Sequence, residues 1–220
     1  MIHQRYKDVL FFLAQPVLCV AGWGYRFAWR RLTRGRSLKL HVGCGEKYLP
    51  SFINVDINPF RKIDLWLDVR NPLPFPTGAL EGIYAQETFE HLYPDECNRV
   101  LGECFRVLRP GGFIRIGVPH LRYAVEAYLQ GSASWFSDWP RSYRSIGGRF
   151  SNFLLCDGQH RNAFDFPVLE ELLKRAGFES VQECERGISH WIHAKVLFPL
   201  EVDSDKVNPA RHLYVEAKHP

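Results

Sequence analysis

Leu38-Lys39-Leu40-His41-Val42-Gly43-Cys44-Gly45, followed closely by Ile53-Asn54-Val55-Asp56, is the stretch that decides the fold. It reads as an apolar strand, a glycine turn, and a second apolar strand ending in an acid. In a parallel sheet this brings bare backbone and a carboxylate to one edge. Glycine lets the chain approach a ligand closely, and a carboxylate there accepts hydrogen bonds from ribose hydroxyls. The pattern points to a cofactor carrying an adenosine.

The spacing narrows the choice. A dinucleotide fingerprint needs a third glycine three residues after the second, and an acid about 20 residues further on. Here Tyr48 stands at the third position, and only the eleven residues 43–53 separate Val42 from Asn54. That is near the lower limit for a parallel crossover, so any helix between these strands is short. A nicotinamide cofactor is disfavoured. A lone Gly-x-Gly is also compatible with an ordinary turn, so the rest of the chain must carry the argument.

Further along stand Asp68, Pro72 to Phe75, Phe89 to Leu92 and Val107 to Gly112. With residues 40–45 and 53–56, their order and spacing resemble the class I S-adenosylmethionine-dependent methyltransferases, in the branch with the compact pattern GCG…INVD…PLPF…EHL…VLKPGG. The resemblance covers residues 38–178. It implies an α/β, Rossmann-like class I methyltransferase fold: a mostly parallel seven-stranded sheet with helices on both faces. It implies methyl transfer from S-adenosyl-L-methionine and says nothing of the acceptor.

The chain has 220 residues, 46% of them hydrophobic, enough for a sizeable core and one main domain. The six cysteines form no Cys-x-x-Cys pair, which favours reduced, mostly buried thiols in a cytoplasmic protein. The net charge of +4 is unevenly placed. Residues 1–37 carry seven basic residues (Arg5, Lys7, Arg26, Arg30, Arg31, Arg34 and Arg36) against Asp8, a net +6 that leaves −2 for the rest. No basic patch interleaved with aromatics crosses the domain, so nucleic acid is not an expected partner.

The division expected is therefore an N-terminal segment, 1–37, and a methyltransferase domain, 38–220. Residues 9–25 of the segment are uncharged and end among Trp23, Tyr25 and Trp29. Seventeen residues is the short limit for a membrane span, and Pro16, Gly22 and Gly24 interrupt a straight helix. Three readings stand: a peripheral anchor on a membrane surface, a helix docked on the domain or a partner, and a true span. Arginines after the apolar run would keep the domain on the cytoplasmic side.

Strands are expected at 38–42, 54–56, 63–67, 82–85, 113–118, 180–184 and 213–217. Cys97, Val100, Leu101, Cys104, Phe105 and Leu108 recur at helical spacing after Pro94, and Pro110-Gly111-Gly112 should end that helix. Further helices are expected at 122–130 and, capped by Asp165 and stopped by Gly177, up to Ala176. Residues 131–162, rich in aromatics and dotted with glycine, are expected to form a lid over the acceptor pocket.

By resemblance, Gly43 and Gly45 floor the methionine portion of the cofactor, with Cys44 between them. Asp56, with Ile57 beside it, should take the ribose hydroxyls. Asp68, with Val69, should lie near the adenine amino group. Gln86 should sit where the sulfonium and the acceptor meet. His41 departs from the family, many of whose members place an acid there, and is not expected as a ligand. Asp157-Gly158-Gln159-His160-Arg161 follows the lid, and a histidine titrating near neutrality suits a general base, so His160 is the first such candidate. Glu90-His91 matches the family's EHL tripeptide, usually a loop-fixing pair; His91 is the second base candidate. No metal is expected on Glu90 and His91, because no further ligand stands at supporting spacing. Arg122, Tyr123, Trp135 and Trp139 are expected to line the acceptor pocket.

The acceptor is expected to be a small molecule, a glycan or a lipid-linked molecule, with O-methylation favoured. The alternatives are a non-catalytic adenosyl-binding protein and a nicotinamide-dependent oxidoreductase.

Overall fold

The computed structural model describes residues 4–32, 38–202 and 211–220. The chain opens with a helix, α1 (Gln4–Leu32), and continues as β1 (Lys39–Val42), β2 (Ile53–Asp56), β3 (Leu65–Trp66) and β4 (Leu80–Gln86). Then come α2 (Pro94–Val107), β5 (Leu108–Pro119), α3 (Leu121–Leu129), α4 (Ile146–Leu155), α5 (Phe166–Arg175), β6 (Glu179–Cys184), α6 (Ala194–Val202) and β7 (His212–Lys218). The seven strands form one sheet in the order β3-β2-β1-β4-β5-β7-β6. All pairs are parallel except those of β7, which runs antiparallel to both neighbours. This is the expected mostly parallel sheet, with each expected strand found within a few residues of its place.

Alternation along the strands sorts side chains onto two faces. Leu40, Val42, Ile83, Ala85, Ile114, Ile116 and Val215 share a core with the buried stripe of α2 (Cys97, Val100, Leu101, Cys104) and with Leu169 and Leu173 of α5. Tyr84, one residue out of phase, joins Phe52, Ile192 and the α6 residues Leu197 and Leu200 on the other face. Cys97 and Cys104 are core thiols, as expected. Asp165 caps α5, its side chain accepting the Val168 N–H, and Gly177 follows at φ +104°.

Two local differences have clear causes. No helix lies between β1 and β2; the connection is clasped instead by Asn54, fully buried. Its side chain accepts the Leu49 N–H and donates to the Leu49 and Phe52 carbonyls. The Pro110-Gly111-Gly112 segment, expected as a helix stop, lies inside β5. The helix ends at Val107 and the chain passes directly into an extended, bulged strand, with pairing that jumps between Leu80↔Leu108 and Gly82↔Phe113. Helix α6, over a stretch where no element was expected, covers the second face of the sheet.

Among the described residues no helix is long and apolar enough to cross a membrane. The spanning reading of residues 9–25 is thereby corrected: α1 runs through Pro16 as one helix, and its apolar face is spent on two surfaces, one buried and one exposed. Leu18 is buried and Tyr25 packs on the main core, while Phe12, Leu13, Val17, Val20, Trp23 and Phe27 are exposed. Of the basic residues counted in this segment, Arg34 and Arg36 lie outside the described residues, and only Arg26 has a described side chain.

Candidate functional site

A cleft of about 1270 Å³ runs along the ends of β1, β2 and β4, bounded by the lid on one side and by α1 on the other. All eight residues expected to meet the cofactor line it: Gly43, Cys44, Gly45, Asp56, Ile57, Asp68, Val69 and Gln86. Gly43 adopts φ +64°, and a Cβ there would stand 2.2 Å from Thr88 Oγ1, so only glycine fits. Gly45, at φ +51°, has open space where its Cβ would be. That opening over bare backbone is what a bound methionine portion would need.

Asp56 ends β2 with both oxygens turned to its own turn. Oδ2 accepts the Gly45 N–H at 2.8 Å and Oδ1 the Asn58 N–H at 2.7 Å. The carboxylate thus fixes the glycine turn and keeps lone pairs for a ribose. Cys44 is a buried thiol, raised to about 12 by burial and by Asp56 and Asp64, so it stays protonated.

Asp68 is buried and tightly held. Arg70 donates from Nε and Nη2, and its backbone N–H adds a third contact. Burial pushes the Asp68 carboxyl up, but the Arg70 contacts and a hydrogen bond from Gln15 outweigh it and hold the carboxyl low. Gln15 belongs to α1: its Nε2 donates to Asp68 and its Oε1 accepts from Asn71. With Phe12 it makes α1 part of the cleft wall. Sequence reading missed this contact. The signal was present: Gln15 is the one strongly polar side chain in the uncharged run 9–25.

At the far end, β4 leads into Glu87, in a left-handed conformation at φ +51°, and the 3₁₀ turn Phe89–His91. The Glu87 carboxylate is held low mainly by the His212 Nε2 contact at 3.1 Å. Glu90 is 2% exposed, and burial raises its carboxyl to about 8. His160 comes to this turn from the end of the lid, its ring 5.2 Å from that of His91. The backbone N–H groups of Arg161 and Asn162 both donate to the Glu90 carbonyl. Burial first, then the His91 charge, lowers His160 to about 4. The expectation of a base titrating near neutrality is therefore corrected: His160 is neutral, an acceptor but a weak base. His41 is buried and also lowered to about 4 by burial; its Nδ1 stands 3.2 Å from Asn54 Oδ1.

The four residues expected at the acceptor pocket divide. Trp139 lines the cleft, with Ser137, Asn152 and Phe153. Trp135 does not: it is buried in a small lid core with Phe136, Ala124 and Ala127. Tyr123 packs on that core and on the His120 ring, and Arg122 points to solvent and pairs with Glu126 on the exposed side of α3. The last two follow from helical geometry. Residues 122 and 123 lie on the outer and lid-facing sides of α3, not toward the strand ends.

The segment 131–162 packs α4 on α3 and brings Trp139, Phe153 and His160 to the cleft. A bound cofactor should therefore slow its proteolysis. Limited digestion with and without S-adenosylhomocysteine is expected to show protection of cuts in residues 137–145; equal cleavage in both states would remove the lid reading.

Comparisons with known proteins fit this geometry. Residues 58–116 match the family model described as a methyltransferase domain. That match and the order of the seven-stranded sheet support the resemblance to class I S-adenosylmethionine-dependent methyltransferases. Among solved structures of similar fold, a S-adenosylmethionine-dependent methyltransferase from Archaeoglobus fulgidus aligns at TM-score 0.52 and 18% identity, over 94% of this chain and 99% of that one. A methyltransferase from Thermotoga maritima, described as a possible histamine N-methyltransferase, aligns at TM-score 0.51 and 14% identity, over 98% and 96%. Phosphoethanolamine N-methyltransferase 2 from Haemonchus contortus, solved with S-adenosylmethionine, aligns at 0.50 and 12% identity, over 90% of this chain and 53% of that one. These likenesses concern the fold. No curated protein sequence matches the chain.

Proposed function

We propose that this methyltransferase moves the methyl group of S-adenosylmethionine to a hydroxyl of an amphiphilic or lipid-linked acceptor at the inner face of a membrane. The observation that carries the reading is the double role of α1. One side reaches the cleft through Gln15 and Phe12, and the other exposes Leu13, Val17, Val20, Trp23 and Phe27 in one stripe. Such a stripe beside basic residues suits the headgroup boundary of an anionic bilayer, where burial of apolar area and about 1 kcal/mol per basic residue add up.

When bound, S-adenosylmethionine supplies a methyl group already activated on a sulfonium, so the protein need not provide a nucleophile. The glycine turn and Asp56 hold the adenosyl portion. Trp139 and Phe153 give the lid an apolar wall for an acceptor chain. Neutral His160 offers a lone pair to an acceptor hydroxyl, and the lid excludes water from the line of transfer.

Two measurements on the full chain test this. The intact protein should pellet with phosphatidylserine vesicles, and Val20→Ser/Trp23→Ser/Phe27→Ser should not, while still binding S-adenosylhomocysteine. With labelled cofactor and vesicles carrying a long-chain alcohol or a polyprenyl glycan, label should enter the lipid fraction. An intact protein that ignores vesicles, or label found only in water-soluble acceptors, removes the membrane reading.

A further inference from the structure

Glu90 and His91 lie together in the chain, and His160 is far from both. The fold brings the three to one point: a carboxylate oxygen of Glu90 and one ring nitrogen from each histidine lie within 4.8 Å of one another. All three residues line the cleft. The expectation of no metal here rested on the want of a third ligand at supporting spacing. His160 supplies it through space.

The supporting contacts orient the donors. His91 Nδ1 lies 3.1 Å from the Gln159 carbonyl, and His160 Nδ1 lies 3.1 Å from the Leu154 carbonyl. A carbonyl only accepts, so each Nδ1 carries the hydrogen and each neutral ring keeps its lone pair on Nε2. A metal-ligating histidine has this arrangement, its other nitrogen tied to a backbone carbonyl. His91 Nε2 faces Glu90 Oε1 at 4.0 Å. Glu90 Oε2 is buried and meets no hydrogen-bond partner among the described residues, an unsatisfied polar atom that a bound cation would join. Glu87 adds negative charge alongside.

We propose that Glu90, His91 and His160 form a binding site for a divalent first-row transition cation, held by one carboxylate and two imidazoles. Two nitrogen donors favour manganese, iron, cobalt or zinc over the harder magnesium and calcium. Ligand bonds near 2.0–2.2 Å require the donors to close by on the order of 1 Å, within reach of side-chain rotation. The second Glu/His/Cys cluster, Cys184, His190 and Glu216, is less suited, since Glu216 already pairs with Arg115 and His190. Bound there, the cation would take the His160 lone pair and stand in its place opposite the acceptor hydroxyl at this end of the cleft. That role rests on the function proposed above; the affinity for metal does not.

The test uses full-length protein stripped with a chelator and titrated separately with Mn²⁺, Zn²⁺ and Co²⁺. Calorimetry follows all three, and ligand-field absorption follows Co²⁺. One equivalent of at least one cation should bind saturably. His91→Ala and His160→Ala should each weaken it at least about tenfold, and His190→Ala should leave it unchanged. S-adenosylhomocysteine binding by every variant shows that the fold survives. Glu90→Gln should behave like the histidine variants; should it fail to fold, the two histidine variants decide. No saturable uptake of any of the three cations, unchanged affinity in folded His160→Ala, or loss of binding in His190→Ala overturns the proposal. Methyl transfer by the stripped protein together with no metal uptake would sink the metal site alone and leave the proposed function standing.

Discussion

Arg115→Met is expected to cost the fold about 3–5 kcal/mol, read as a fall in the urea midpoint at unchanged m. Arg115 is fully buried in the sheet, between Ile114 and Ile116 on β5. Nε and Nη2 donate to Glu201 at 2.8 and 2.9 Å, and Nη1 donates to Glu216 at 3.1 Å. The remaining donors reach the carbonyls of Ile188 and Glu185. Both carboxylates are as buried as the guanidinium. Burial pushes the Glu216 carboxyl up, but hydrogen bonds from Ser189 and His190 and the Arg115 charge hold it low. Removing the arginine strands two buried acids at once, which is why the loss exceeds that of an exposed pair. Replacing all three charged residues by apolar ones of matched size should recover most of the stability. A loss below about 1 kcal/mol in the single variant would mean that water reaches the network.

Asp56→Ala should weaken S-adenosylhomocysteine binding about tenfold to a hundredfold, since a hydrogen bond to a charged group contributes about 1.5–3 kcal/mol. Two effects combine. The ribose loses its acceptor, and the Gly45 and Asn58 N–H groups lose the oxygens that shape the turn. Asp56→Asn separates them. Its carbonyl oxygen keeps part of the turn, so it should fall between the wild type and alanine. Calorimetry on folded variants measures both, and unchanged affinity in Asp56→Ala would withdraw the ribose assignment.

The cofactor end was legible because backbone dictates it. A glycine that must turn at positive φ and an acid at the next strand end announce themselves in one dimension. The second face of the sheet was not. Ile114-Arg115-Ile116 and Val215-Glu216-Ala217 alternate apolar and charged, the mark of a strand with one wet face. Nothing local says that the charges of two strands answer each other across the ladder, where Arg115 lies opposite Glu216. Nor does it say that Glu201 of α6 closes the set. The acceptor end failed for a related reason. Trp135 and Trp139 look alike in sequence, yet one fills the lid core and the other reaches the cleft. Gln15 and His160 act through contacts 53 and 69 residues away, and no local pattern encodes such distances.

The Glu90 carbonyl accepts from both Arg161 and Asn162 and so rivets the trailing edge of the lid to the body of the domain. At the leading edge, after Gly131, the backbone bonds of Ser132, Ala133 and Trp135 stay within the lid and the end of α3, and the tie to the body is a side chain: Arg211 Nε donates to the Trp135 carbonyl. The flap is therefore held by backbone at one edge and by the Arg211 side chain at the other. Release of the Arg211 tie would let Trp139 swing while His160 stays beside the backbone pivot. The acceptor would then enter past a moving tryptophan while the polar group awaiting it stays still.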